Sequence, residues 1–212
     1  MSSFRLGFSQ CVLASSALWC LHRSYGYDYA SIGLSMYTIS NSLGMVSQIL
    51  GNRCLESWYD ETEFCCFTCC LPMFATQICL DGRRFPVWLV FAITFSAPLV
   101  HLPIRYIFGN ENASLNSINY SHYLCAMAIC LDGFMNNQEL AYLVAHTFVT
   151  SYYVLLPVSI VWAKLKLAIA CLTWILYKNN TNTLSITEFF EIVDKNINIV
   201  NRALTLYINN IK

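Results

Sequence analysis

Charge is what this chain has least of. Only 11% of its 212 residues are Asp, Glu, Lys or Arg, where ordinary soluble domains carry about 25%. So little charge cannot cover a water-facing surface of this size, which excludes an ordinary soluble domain. Net charge is also missing: 12 basic and 12 acidic residues cancel. No basic face is thereby offered to nucleic acid, and no nucleic-acid partner is expected. Alternation of apolar and polar residues is absent from the apolar runs, which excludes a membrane β-barrel. Also lacking are a glycine-rich phosphate loop, an H-E-x-x-H zinc motif and a nucleophile–base set, so no catalytic residue and no metal site is assigned.

What remains is apolar. Hydrophobic residues make up 57% of the chain, and the mean hydropathy is +0.49. In hydrocarbon every backbone amide must pair internally, so continuous apolar runs become helices. The fold class expected is all-α: a polytopic transmembrane bundle of about six spans over residues 1–178, then a C-terminal docking helix over 179–212. The spans are Phe8–His22, Asp28–Gly51, Phe64–Leu80, Pro86–Phe108, Ser121–Met135 and Leu140–Ala163. The protein should therefore be an integral, multi-pass membrane protein in contact with lipid. Residues 1–27 hold Arg5 and Arg23 and no acid, a composition shared with targeting sequences, but Phe8–His22 reads better as a first span.

Eleven cysteines, an odd number lying largely in apolar runs, suit reduced thiols packing as small apolar side chains better than a disulfide framework. Cys65, Cys66, Cys69 and Cys70 crowd one helical stretch, but a rigid helix cannot wrap four thiolates around one metal ion. Reduced cysteines and the acid-free N-terminus favour the mitochondrial inner membrane over the endoplasmic reticulum.

Within the second span, Gly33, Ser40, Gly44, Ser47 and Gly51 recur at helical spacing. They make a face on which another backbone can approach closely. Beside them run Tyr37, Asn41 and Gln48, either a polar pathway or interhelical hydrogen bonds. The stretch Asn52–Glu63 reads as a charged loop, and Gly109–Tyr120 as a loop with sequons at Asn112 and Asn119. Ser121–Met135 would be only about 22 Å long, short of a hydrocarbon core of about 30 Å, which suggests shielding by other protein. Lys164 and Lys166 close the sixth span. Leu167–Tyr177 is too short to cross and reads as interfacial, with Trp162 and Trp174 as anchors.

Residues Ser185–Glu188 form a capping box, flanked by Leu184 and Phe189 as a hydrophobic staple. Ile186, Phe190, Val193, Ile197, Val200, Leu204, Tyr207 and Ile211 then alternate four and three apart, an a/d seam of about four heptads. The opposite side is rich in Asn rather than Lys, which favours docking on other membrane subunits over lying on lipid.

Two polar clusters complete the reading. With six spans, Arg5, Arg53, Arg105, Lys164 and Lys166 fall on the N-terminal side, and Arg23, Arg83 and Arg84 on the other, making the N-terminal side cytosol or matrix. His101 and His122 are then level with one another; they are candidate axial ligands for haem, or polar anchors of a quinone site, unless they snorkel to the interface. Asp132 pairs with His146 or Arg84, a candidate proton or ion site. Without such a role no cofactor is expected. The function these features suggest is a non-catalytic accessory or scaffold subunit of a larger membrane complex, in an energy-transducing membrane. The alternative is a haem- or quinone-binding anchor or a small solute or proton transporter.

Overall fold

A computed structural model describes residues 2–24 and 28–179. Among them every regular element is helical: α1 Ser2–Arg23, α2 Asp28–Leu50, α3 Arg53–Gly82, α4 Val87–Tyr106, α5 Glu111–Asn136, α6 Glu139–Val149 with a π-helical continuation Thr150–Leu155, and α7 Ile160–Asn179. The chain divides into two compact units, Met1–Ile175 and Leu176–Lys212, and the first is the helical bundle. The proposed docking residues Phe190, Val193, Ile197, Val200, Leu204, Tyr207 and Ile211 lie outside the described residues.

Four helices among the described residues are long and apolar enough to cross a membrane: Phe4–Arg23, Arg53–Gly82, Val87–Tyr106 and Ile160–Asn179. Large apolar side chains such as Trp88, Leu99, Phe108, Phe134 and Val158 stand at least 70% exposed. Scattered exposed apolar residues are normal, but so many on one small bundle require a cover. Lipid supplies it.

The bundle is built around α3, and residue pairs fix the direction of its neighbours. Gly33 and Gly44 of α2 meet Phe74 and Tyr59 of α3, so these two helices are antiparallel. Thr76 bonds Thr94, and Glu61 bonds Arg105, which runs α4 antiparallel as well. Asp132 lies at Gly82 and His122 at Phe67, placing α5 parallel to α3. Phe148 meets Phe74 and Tyr152 meets Phe67, so α6 descends. Lys164 meets Glu63 and Trp174 meets Phe74, so α7 ascends beside α3.

Several sequence expectations are corrected here. Asn52–Glu63 is not a loop. Gly51 ends α2 with φ +60°, and Asn52 caps α3 by accepting from the Cys54 amide at 2.9 Å. Helix α3 thus has 30 residues and spans about 45 Å, longer than a hydrocarbon core of about 30 Å. Nor is Gly109–Tyr120 a loop, because α5 begins at Glu111 and has 26 residues. At about 39 Å the fifth helix needs no shielding. Its length gives no reason to expect a partner.

Leu140–Ala163 is broken rather than continuous. Thr147, Thr150 and Ser151 hydroxyls bond back to the carbonyls of Leu143, His146 and Thr147, which bends helices. Leu156 N–H then reaches the Ser151 carbonyl, five residues back, at 2.9 Å. Pro157, lacking an amide hydrogen, cannot continue the ladder. The chain turns, and α7 starts at Ile160.

Leu167–Tyr177 is therefore the body of α7 and not a separate interfacial segment. Trp162 is 63% exposed, as an interfacial indole should be, whereas Trp174 is 0% exposed with its ring 5.5 Å from Phe74. Trp174→Ala is expected to cost about 3–5 kcal/mol, read as a fall in the unfolding midpoint in detergent micelles. An interfacial tryptophan would leave that midpoint nearly unchanged.

Candidate functional site

The first turns of α7 carry a lysine into the bundle. Lys164 shares a face with Leu167, Cys171 and Trp174, all buried. On α3, Glu63 shares a face with Tyr59, Cys66, Cys70 and Phe74, likewise buried. Packing these two faces together forces the charges to meet. The Lys164 Nζ donates to Glu63 Oε1 at 2.8 Å and to Asn41 Oδ1 of α2 at 2.9 Å, and lies 5.3 Å from the Tyr59 ring centroid. The lysine side chain is 4% exposed and the glutamate 31%. Asn41 is itself fixed, since its Nδ2 donates to the Tyr37 carbonyl at 2.8 Å. One charge is enclosed and its partner reaches the surface.

A cavity of about 50 Å³ adjoins this pair; Tyr37, Ser40, Asn41, Glu63, Tyr152 and Lys164 line it together with apolar side chains that include Leu13, Phe67, Leu156 and Leu167. A water molecule needs about 10–15 Å³ by such a measure, so the space suits a few waters. Binding sites for organic molecules run from about 300 Å³.

Beside the cavity lie two further hydrogen-bonded pairs, joined to one another by ring stacking. The Tyr37 hydroxyl is hydrogen-bonded to that of Tyr152. The Tyr152 ring stacks on His122 at 5.3 Å, and His122 Nδ1 is 2.9 Å from the Tyr153 hydroxyl. The π-helical turn matters here because it sends adjacent tyrosines to different partners, Tyr152 to Tyr37 and Tyr153 to His122. Such turns recur at functional sites.

His101 and His122 are both fully buried, so neither snorkels. His101 stacks on Phe64 with centroids 6.2 Å apart, and His122 meets Phe67 edge-on at 5.0 Å. The pair thus sits at one level of the bundle, one turn apart along α3, each ring against an aromatic neighbour. Neither lines the cavity beside Lys164. Arg105 lies 3.6 Å from the Phe64 centroid and pairs with Glu61 at 3.3 Å. Among the described residues no group of three or more His, Cys, Asp or Glu is placed to hold a metal ion, and all eleven cysteines are free.

The second cluster is not gathered at one point. Asp132 is fully buried against Gly82, where an added Cβ would stand 2.0 Å from Oδ1. Arg84 Nε donates instead to Asn136 at 3.1 Å, and His146 is exposed.

Lys164 and Glu63 were not singled out as a pair by the sequence, although a signal exists. Each is the one charged residue in a row of apolar residues at three- and four-residue spacing. The chain matches no protein-family model, no curated protein and no solved structure.

Proposed function

We propose that the protein is a multi-pass membrane protein that exchanges protons through its interior, with Lys164 and Glu63 as the carrier pair. One observation carries this reading: an ammonium with a side chain 4% exposed, hydrogen-bonded to a carboxylate that is 31% exposed, beside a water-sized cavity that both side chains line. An ionisable group at this depth is costly and is by default a functional candidate. Proton transfer from Nζ to the carboxylate converts the ion pair into a neutral pair, which costs less to hold away from water. Glu63 is the entry group, Lys164 the interior one. Cavity water, the Tyr37–Tyr152 hydroxyls and the His122–Tyr153 pair supply the next exchangeable protons. The cavity is too small for an organic substrate.

The topology that accompanies this reading has seven crossings, with α7 as the seventh, rather than six and an interfacial segment. In liposomes carrying a pH-sensitive dye, the protein is expected to discharge a pH gradient faster than protein-free vesicles, and Lys164→Met to return the rate to background. A wild-type rate equal to that of empty vesicles would remove the proposal.

A second reading, an accessory subunit of a larger complex in an energy-transducing membrane such as the mitochondrial inner membrane, rests on the heptad seam at 186–211. Its test is deletion of residues 185–212 followed by native gels. Unchanged apparent size and unchanged co-purifying proteins would count against docking by that helix.

A further inference from the structure

A second cavity, of about 120 Å³, lies between α3, α4 and α5 and is lined by Cys79, Phe85, Val90, Thr94, Ala128 and other apolar side chains. Thr94 brings the one hydroxyl to this wall, and it is spent internally, donating to the Val90 carbonyl and accepting from Thr76. Leu124, Met127 and Leu131 of α5 line the same space and are about half exposed. The crevice therefore opens outward, toward lipid. Apolar cavities of about 150 Å³ stay dry and take up hydrocarbon, so the chemistry it fits is a stretch of acyl chain.

The mouth carries a different chemistry. Immediately before Phe85 come Arg83 and Arg84, both exposed. Arg83 ends α3 with φ 53°. The hydrogen bond from Arg84 to Asn136 uses Nε, which leaves its terminal amino groups for an incoming phosphate. Trp88, the second residue of α4 and 70% exposed, marks this height as the membrane–water boundary, where indoles collect. Acids stand nearby. Asp81 is engaged by Gln77 at 3.1 Å, Asp132 is buried against Gly82, and Glu139 belongs to α6, which forms no wall of the crevice. Two arginines against the exposed Asp81 leave the rim cationic.

We infer that this crevice binds one anionic phospholipid, its acyl chain between α4 and α5 and its phosphate on Arg84 and Arg83. Basic pockets between membrane helices recognise anionic headgroups in this way. The site is independent of Lys164 and of proton exchange.

The test uses the full-length protein in detergent, with native mass spectrometry and thermal unfolding, titrated with phosphatidylglycerol or phosphatidylcholine of the same chains. The expected result is one retained phosphatidylglycerol per protein and a saturable rise in Tm, with a preference over phosphatidylcholine on the order of tenfold. The doubly substituted R83Q/R84Q protein should lose that preference while keeping its lipid-free Tm. Ala128→Phe, which fills the crevice, should reduce retention of both lipids. Equal retention of the two lipids by the wild type, or a preference that survives in R83Q/R84Q, would overturn the inference.

Discussion

Glu63→Leu alone is expected to destabilise the bundle by about 3–5 kcal/mol, and Lys164→Met with Glu63→Leu to recover much of that loss. Removing one member of a buried ion pair strands the other charge, whereas replacing both with apolar groups of similar volume is often neutral or stabilising. Recovery should be incomplete for an identifiable reason. Asn41 Oδ1 accepts from Lys164 at 2.9 Å, and without that donor a buried acceptor goes unmet, at about 1–3 kcal/mol. Lys164→Met alone should cost less, because the carboxylate it leaves is 31% exposed and reaches water, and Glu63→Gln should be milder than Glu63→Leu because it keeps a polar partner for the ammonium. Unfolding of the wild type, both single variants and the double variant in one detergent gives the coupling energy. Additive losses would mean that the two side chains do not act as a pair.

Gly44→Val is expected to be nearly as damaging. A Cβ at Gly44 would stand 2.4 Å from Gln10 Nε2 and 2.7 Å from the Tyr59 ring, inside the contact distance of α1 and α3 at once. Gln10 is a flexible amide, but Tyr59 is a buried ring on the helix that also carries Glu63. Relief requires α2 to move off α3, and overpacking of this kind costs about 1–3 kcal/mol or more. The same shift would draw Asn41 from Lys164, so stability and the polar site should suffer together. Gly7 is the control: nothing lies within 4 Å of its added Cβ, and Gly7→Ala should be neutral or slightly stabilising through helix propensity. Comparable loss of Tm in Gly7→Ala and Gly44→Val would contradict the packing described.

How much of this was legible in the residues depends on the signal concerned. The helical membrane class followed from scarce charge and continuous apolar runs, since lipid permits few other solutions. The small face of α2 was also legible: Gly33 meets Phe74, and Gly44 meets Gln10 and Tyr59. Helix ends were harder. Charge in Asn52–Glu63 masked a helix whose start was marked by the Gly51–Asn52 pair, a left-handed cap followed by an N-cap. Pro157 should have divided Leu140–Ala163, but the apolar residues on both sides carry a hydropathy signal that is blind to it. In an unbroken run Lys164 stands at the end of a span, where lysines normally reach for water. Moving the helix start to Ile160 sets Lys164 in a row with Leu167, Cys171 and Trp174, and so inside.

The pairing of His101 with His122 was a matter of depth, which follows from span direction, and the structure does put both beside adjacent turns of α3. Asp132 with His146 failed on rotation. Depth alone does not say which way a side chain points about its helix axis, and His146 turns outward while Asp132 turns in.

The most direct measurement is proton flux through the doubly substituted protein, Lys164→Met with Glu63→Leu, reconstituted beside the wild type at equal density. The expected result is a folded bundle, less stable than the wild type by no more than the unmet Asn41 acceptor costs, that discharges a pH gradient no faster than empty vesicles. A double variant that conducts at the wild-type rate would reduce Lys164 and Glu63 to a structural lock between α3 and α7.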